Sequence, residues 1–269
     1  MAPKSKQLRE HVISEFSSPL TQAVYKREAR RGLWPSEAVV IRMYFQPGSR
    51  VLDVGCGTGR TTIPLYQQGY DVVGVDITPA MIDTARNIAS QQGLAINYEV
   101  GDATHLRYHN ESFDNALFSF NGWAQIPGRV NRAAALSEIH RVLRPGGHYI
   151  FTTHTGNFKL TPAPFWIKQW MKYYVLKPLG WPIQEEEFGD RFFDRLTETD
   201  DPMIKTAWAG TQQHQYVHIS TDRIVQTMVR NAGFQLIKTA RGTAIAPTDP
   251  ASSPMFYICK KRVNCAAVE

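Results

Sequence analysis

Residues 51–60 read VLDVGCGTGR, in which a short apolar stretch runs into three alternating glycines. The apolar part, residues 51–54, predicts a buried strand. Gly55, Gly57 and Gly59 permit a tight turn and let bare backbone approach a ligand at the start of the helix that follows. The stretch therefore predicts a ligand-binding loop between a strand and a helix.

The composition narrows the class of protein. The chain has 269 residues, of which 43% are hydrophobic, enough for one large domain or a core domain with an inserted cap. Its three cysteines cannot form a disulfide framework, and no cysteine or histidine cluster has metal-ligand spacing. There is no run of about 18 apolar residues and no signal-peptide stretch near the start. We therefore expect a reduced, cytoplasmic protein with no metal and no membrane partner.

Positive charge is concentrated near the N-terminus. The net charge is +6, and residues 1–31 contain seven Lys or Arg against three Glu. Such an arm either contacts nucleic acid, an anionic substrate or a protein partner, or forms a solvated amphipathic helix. Aromatic and basic residues are not interleaved as on RNA-binding surfaces, so nucleic acid is not the expected partner.

Strands and helices alternate between residues 50 and 153, which is typical of a mostly parallel sheet with helices on both faces. A helix at 221–232 comes later, and the strands FQLIKTA and MFYICKK after it predict an antiparallel hairpin. The predicted organisation is an N-terminal helical arm (1–46), the core (47–153), an inserted cap (154–218) and the C-terminal part of the core sheet (219–269).

Acidic residues stand at the ends of the first three predicted strands: Asp53 before the glycines, then Asp76, then Asp102. Arg60 replaces the last glycine of the dinucleotide fingerprint, which argues against NAD or a flavin dinucleotide. Together with the LRPGG turn before the fifth strand, these motifs resemble those of the class I S-adenosylmethionine-dependent methyltransferases, mainly over residues 50–153.

The resemblance implies a doubly wound α/β fold with seven mostly parallel strands in the order 3-2-1-4-5-7-6, the seventh being antiparallel. It also implies S-adenosylmethionine as the cofactor, with Asp76 on the ribose hydroxyls and Asp102 on the adenine amino group. Tyr25 either closes over the methionine end or only packs within its own helix. The implied cofactor residues are Tyr25, Asp53, Gly55, Cys56, Gly57, Gly59, Asp76, Ile77, Asp102, Ala103, Phe118 and Ser119.

Residues 154–218 interrupt the alternation and are rich in aromatic residues and prolines. A segment this long within a compact domain is usually functional or forms its own substructure. We expect a helical cap over the acceptor; a satellite core or a dimer contact is the alternative. The predicted acceptor residues are Asn121, Trp123, Trp166 and Trp170.

His154 stands where the fifth strand ends. A neutral imidazole accepts a proton near pH 7, so His154 is the predicted general base, unless it only hydrogen-bonds the backbone.

Three classes of function are compatible with the sequence. The first is methyl transfer to an oxygen, nitrogen or carbon of a small-molecule acceptor, for example in specialised metabolism, and the aromatic segment favours it. The second is methylation of RNA or protein, which only the basic arm favours. The third is a non-methylating domain that binds the cofactor or a partner. The intact glycines and strand-end acids argue against a loss of cofactor binding.

Overall fold

The computed structural model describes residues 4–155, 163–194 and 214–263 of the chain. None of the helices within these ranges is both long enough and apolar enough to cross a bilayer. The helices are α1 (Lys4–Ser17), α2 (Pro19–Arg31), α3 (Pro35–Tyr44), α4 (Thr62–Gln67), α5 (Pro79–Gln91), α6 (Arg129–Val142), α7 (Ala163–Met171), α8 (Asp222–Asn231) and α9 (Gly242–Ile245). The strands are β1 (Arg50–Val54), β2 (Asp71–Asp76), β3 (Asn97–Val100), β4 (Phe113–Phe118), β5 (Leu143–Thr153), β6 (Asp190–Asp194), β7 (His214–His218), β8 (Phe234–Arg241) and β9 (Met255–Lys261). A 3₁₀ turn covers Gly122–Gln125, and a π-helical turn, Lys172–Leu176, continues α7.

The main sheet has seven strands in the order β3-β2-β1-β4-β5-β9-β8. The first five strands pair in parallel, and β9 is antiparallel to both of its neighbours. Since β8 and β9 are the sixth and seventh strands of this sheet, the predicted order and the single antiparallel strand are confirmed.

The cap is not purely helical, which corrects the expectation from sequence. In addition to α7, its described part contains β6 and β7, which form a separate two-stranded antiparallel ribbon. Asp190 of β6 is fully buried and accepts hydrogen bonds from Tyr216 and His218 of β7, at 2.8 Å each. These bonds join residues that are far apart in the chain. A local sequence pattern therefore does not predict the ribbon.

Helices cover both faces of the main sheet, as predicted. Leu136 and Ile139 of α6 pack on one face together with Val229 of α8. Ile41 of α3 and Leu65 of α4 pack on the other face. Burial of these apolar side chains is the main free-energy contribution that fixes the helices to the sheet.

The N-terminal arm contains the helices α1, α2 and α3, and Ser18 separates the first two. The Ser18 hydroxyl caps α2 by accepting from the Thr21 backbone N–H at 3.2 Å. Val12 and Phe16 of α1 pack in one hydrophobic cluster with Met81 and Tyr216. Because these last two residues belong to α5 and to β7, the arm joins the core to the cap.

A buried ion pair fastens the glycine loop to α3. The Arg60 guanidinium donates to both carboxylate oxygens of Glu37, at 2.7 and 2.6 Å, and to the Gly32 carbonyl at 2.9 Å. Burial alone would raise the pKa of Glu37, but the Arg60 charge and hydrogen bonds from Arg60, Ser119 and Trp34 hold that pKa below its ordinary value. Glu37 is therefore ionised in the interior, and its charge is compensated chiefly by Arg60.

Arg60→Met should lower the free energy of unfolding by about 3–5 kcal/mol, because it leaves the Glu37 carboxylate buried without its cation. The control is Arg144→Met, which removes a half-exposed pair with Asp114 and should cost about 1 kcal/mol or less. Urea denaturation followed by circular dichroism measures both losses. Adding Glu37→Gln to Arg60→Met should recover part of the stability. Similar losses in the two single variants would contradict this account.

Candidate active site

A cleft opens at the carboxyl ends of β1, β2 and β4, where ligands bind in doubly wound sheets. The loops after these strands form one side of the cleft, and helices α1 and α2 form the other. The predicted cofactor residues that line it are Tyr25, Gly55, Gly57, Asp76, Ile77, Asp102, Ala103, Phe118 and Ser119. Residues from the arm and from four separate loops are thus brought to one place.

The glycine loop presents backbone to the cleft. Gly55 and Gly57 have φ values of 61° and 54°, in the left-handed region that favours glycine. A Cβ atom at Gly55 would lie 2.4 Å from the Phe118 ring, and one at Gly122, after β4, would lie 2.3 Å from the same ring. Phe118 therefore requires glycine on both sides, and the β1 and β4 loops can approach each other only with this sequence.

Asp76 lies at the end of β2 with its carboxylate tied to the backbone of the cleft. Its Oδ2 accepts from the Gly57 N–H at 3.0 Å, and its Oδ1 accepts from the Thr78 N–H at 2.8 Å. Burial raises the pKa of Asp76, and these backbone bonds offset part of the rise. An ionised carboxylate has about four acceptor positions. The bonds from Gly57 and from the backbone and side chain of Thr78 use part of this capacity, and the rest is available to a hydroxyl group of a ligand.

Asp102, after β3, is bound to the arm. Its Oδ2 pairs with Arg9 Nη2 of α1 at 2.6 Å, and its Oδ1 accepts from the Thr104 N–H at 2.9 Å. Arg9, Val12 and Phe16 of α1 also line the cleft. This ion pair therefore fastens α1 beside the end of the cleft where the resemblance places an adenine.

Aromatic side chains from α2 and from the loop after β4 also line the cleft. The Phe120 ring lies 6.1 Å from the Tyr25 ring, centroid to centroid, in an edge-on arrangement. The Arg60 guanidinium also lies against the Phe120 ring, 4.8 Å from its centroid. Phe120 and Asn121 have φ values of 54° and 62°, which are uncommon for residues other than glycine and are characteristic of functional sites. The backbone after β4 is thus held so that the Phe120 ring faces the cleft.

The sequence predicts a cofactor contact for Asp53, but this residue lies outside the cleft lining. Its carboxylate is buried beneath the loop, where the hydroxyls of Thr61 and Thr62 donate to Oδ2 at 2.6 Å each. Burial raises the pKa of Asp53 to about 6. Asp53 therefore joins β1 to the start of α4. It stabilises the glycine loop without contacting the cleft.

Cys56 and Gly59 belong to the glycine loop but face β3, and neither lines the cleft. The Cys56 N–H donates to the Val75 carbonyl at 3.0 Å, and its buried side chain packs with Tyr98 of β3. A Cβ atom at Gly59 would lie 2.5 Å from the Tyr98 hydroxyl. Close packing between the loop and β3 therefore explains why a small residue stands at each of these two positions.

The residues predicted to contact the acceptor are not gathered at the cleft. Trp123 is fully buried, with its ring 5.5 Å from that of Phe151, because a large apolar side chain that follows a strand can pack into the core as readily as into a site. Asn121 donates its backbone N–H to the Thr152 hydroxyl at 2.8 Å. Their neighbours Phe120 and Gly122 line the cleft instead.

Trp166 and Trp170 both belong to α7, away from the cleft lining. Trp166 is half-buried and stacks on Phe188 at 5.9 Å between centroids, whereas Trp170 is exposed beside Tyr174. His154 is exposed at the end of β5 and is likewise absent from the lining. The roles assigned to these three residues stay predictions.

The sequence gives little sign of several residues that line the cleft, namely Arg9, Phe120, Gln125 and Asn131. Arg9 lies in an amphipathic helix without a motif, and only the position of Phe120 next to the predicted Ser119 points to it. Within the described ranges, no group of three or more His, Cys, Asp or Glu side chains is arranged to hold a metal ion.

Comparisons with known proteins agree with this geometry. A family model described as "Methyltransferase domain" matches residues 51–147. An uncharacterized methyltransferase of Mycobacterium bovis is 34% identical over 203 residues, which is 75% of this chain and 70% of the relative. A demethylmenaquinone methyltransferase of Symbiobacterium thermophilum is 37% identical over 122 residues, 44% of this chain and 47% of the relative. The chain spans between 35% and 47% of the length of the first curated relatives it matches.

Among solved structures, the chain is similar to the 1,6-didemethyltoxoflavin-N1-methyltransferase of Burkholderia thailandensis, whose structure contains 1,6-didemethyltoxoflavin and S-adenosylhomocysteine. The TM-score is 0.63 at 17% identity, and the match covers 98% of this chain and 92% of that one. This likeness shows the fold. The relative from Mycobacterium bovis and the matched domain add the sequence relationship, and the chain therefore belongs to the S-adenosylmethionine-dependent methyltransferases with a Rossmann-like fold.

Proposed function

We propose that the protein transfers the methyl group of S-adenosylmethionine to a small-molecule acceptor. The observation that carries this proposal is the polarity of the cleft: an anchored carboxylate, Asp76, at one position and the aromatic side chains Tyr25, Phe118 and Phe120 at another. The two hydroxyl groups of a ribose complement the Asp76 carboxylate. A cationic methyl donor beside an apolar acceptor complements the aromatic side chains.

The residues of the cleft fit the cofactor that this family uses. Asp76 keeps acceptor capacity for ribose hydroxyls beyond its two backbone bonds, and Gly55 and Gly57 line the cleft with backbone because they carry no side chain of their own. Ile77 and Ala103 offer apolar surface for an adenine ring. When bound, the cofactor supplies a methyl group already activated by a positively charged sulfur.

The closure of the cleft supports a small acceptor. Val12 and Phe16 of α1 line the cleft while packing against Met81 and Tyr216, and Arg9 is paired with Asp102 across it. Helix α1 narrows the entrance to the cleft, which favours a small acceptor over a folded RNA or a protein surface. Among the similar proteins, one is named for demethylmenaquinone and another for 1,6-didemethyltoxoflavin, and both of these named acceptors are small molecules.

Catalysis in this site would rest mainly on positioning. The titratable residues among the described lining are Arg9, Tyr25, Asp76 and Asp102, and all four belong to the arm or to the proposed cofactor site. Orientation of two reactants in a closed site is worth up to about 7–11 kcal/mol in well-oriented systems. The polar side chains of Gln125 and Asn131 are suited to hold an acceptor through hydrogen bonds.

The direct test is to supply the protein with isotopically labelled S-adenosylmethionine and separate fractions of a cell extract. We expect label in the small-molecule fraction, identified by mass spectrometry, and none above background in RNA or protein. Heat-denatured protein is the control. Label confined to RNA or protein would support the second class of function, and binding without label in any fraction would support the third.

Asp76→Ala should weaken binding of S-adenosylhomocysteine by about 1.5–3 kcal/mol, the cost of removing a charged hydrogen-bond acceptor. Asp76→Asn, which keeps one acceptor oxygen, should lose less. The matched control is Asp83→Ala, because Asp83 is an exposed acid on the helix that follows the same loop. Isothermal calorimetry gives the affinities. Unchanged affinity in Asp76→Ala would remove the carboxylate from the cofactor site.

His154→Ala tests the general base that the sequence predicts. Because His154 lies outside the cleft lining, we expect turnover of the identified acceptor to stay within the range of the control, His109→Ala, an exposed loop histidine. A general base would instead cost about 10²–10⁴-fold in turnover. A loss of that size in His154→Ala, with unchanged affinity for S-adenosylhomocysteine, would restore His154 to the mechanism.

A further inference from the structure

Helix α7 and the π-helical turn after it carry an apolar stripe that faces solvent. Its residues follow one another at intervals of one and three, the spacing of a single helix face. Ile167 is 58% exposed, Trp170 52% and Tyr174 53%. The other members are Met171 and Val175, and exposed Leu179 and Trp181 extend the surface beyond the turn. We call residues 167–181 with this exposed face the apolar stripe.

A stripe with this period normally packs on a protein core, so its exposure calls for a partner. The helix is anchored to the protein through Phe188. Trp166 stacks on this ring, Tyr173 lies edge-on to it at 6.2 Å between centroids, and Tyr174 at the margin of the stripe lies 5.7 Å from it. Lys172 Nζ pairs with Glu185 at 2.6 Å. The apolar stripe is therefore held in a fixed orientation with its large side chains outward.

The charged side chains of the stripe segment are all basic. Residues 163–181 contain Lys168, Lys172 and Lys177 and no Asp or Glu. The charge of Lys172 is compensated by its pair with Glu185, and Lys177 donates to the Glu186 carbonyl. The acidic run that follows is turned toward the protein: Glu185 is buried, and Glu187 pairs with Arg132 of α6 at 2.6 Å. The exposed surface is consequently apolar with a basic border.

A second basic segment meets the same end of the cap. Lys4 Nζ, at the start of α1, donates to the Ile183 carbonyl at 2.7 Å. The exposed side chain of Lys6 follows within the same turn of α1. The N-terminal end of the basic arm thus lies beside the end of the apolar stripe and adds to its positive field.

We propose that the apolar stripe is a docking surface for an anionic membrane surface. Amphipathic helices with Trp and aliphatic residues on one side and lysines at the border lie in the plane of the lipid headgroups, and tryptophan and tyrosine prefer that interface. Lysines near the surface add attraction to anionic lipids. This complementarity favours lipid over a second copy of the chain, since two stripes placed face to face would bring their lysines together.

The sequence-based expectation of no membrane partner rests on the lack of a long apolar run. That argument concerns a segment that crosses the bilayer. A helix that lies in the interface needs only one apolar face and a length of a few turns. The apolar stripe meets both requirements without any change in the fold.

The test is co-sedimentation of the full chain with vesicles of phosphatidylglycerol and phosphatidylcholine in equal parts, compared with vesicles of phosphatidylcholine alone. We expect binding to the anionic vesicles that weakens as salt is raised, and much weaker binding to the neutral ones. The assay contains no methyl donor or acceptor, so its result is independent of the proposed activity.

Two variants locate the binding surface. Ile167→Glu combined with Trp170→Glu should reduce binding at least tenfold, whereas Met43→Glu, at a residue of α3 that is 65% exposed, should leave it unchanged. Lys168→Glu should reduce binding about fivefold or more, and the exposed Lys238→Glu on β8 is its control. Calorimetric binding of S-adenosylhomocysteine verifies that each variant is folded.

Three outcomes would overturn the proposal. The first is no binding of the wild-type chain to anionic vesicles at low salt. The second is binding that Met43→Glu or Lys238→Glu weakens as much as the stripe variants do. The third is a dimer in light scattering that dissociates in the Ile167→Glu and Trp170→Glu variant without vesicle binding by the wild type, which would make a second copy the occupant.

Discussion

The cleft depends on one buried guanidinium. Arg60 joins three segments beside it: the end of α2 through the Gly32 carbonyl, α3 through Glu37, and the loop after β4 through the Ser119 hydroxyl and the face of Phe120. A planar group with five donors can satisfy several acceptors in fixed directions, which a lysine could not do. Arg60, which replaces the last glycine of the dinucleotide fingerprint, thus holds these segments together from outside the cleft.

Local patterns in the sequence were sufficient for the helices and strands of the main sheet and for the edge at which ligands bind, but not for the ribbon formed by β6 and β7. Residues directly after a strand are placed by chain position alone, and therefore Asp76 and Asp102 could be assigned to the cleft. The strand order came from the resemblance, because it depends on pairings such as Tyr149 with Cys259, which separate parts of the chain make and no periodicity records.

The remaining discrepancies share a physical cause, since they concern contacts decided by tertiary packing. Trp123 and Asp53 have the right chemistry and nearly the right position, but burial against Phe151 in one case and hydroxyl groups of α4 in the other turn them away from the cleft. Arg9 shows the reverse: its helix carries no motif, and its place over the cleft follows from how the arm packs. Cap residues are the hardest to assign, because aromatic side chains serve cores, sites and interfaces alike.

Val12 and Phe16 belong at once to the cluster that fastens α1 and to the wall of the cleft. A ligand that touches them gains these contacts only while the arm is docked, so occupancy and docking are linked equilibria. Backbone amides of a docked helix exchange with solvent when the helix opens locally, at a rate governed by the free energy of that opening. Hydrogen exchange of the α1 amides should therefore slow when the cleft is occupied. It reports ligand binding from a helix that does not carry the reacting atoms.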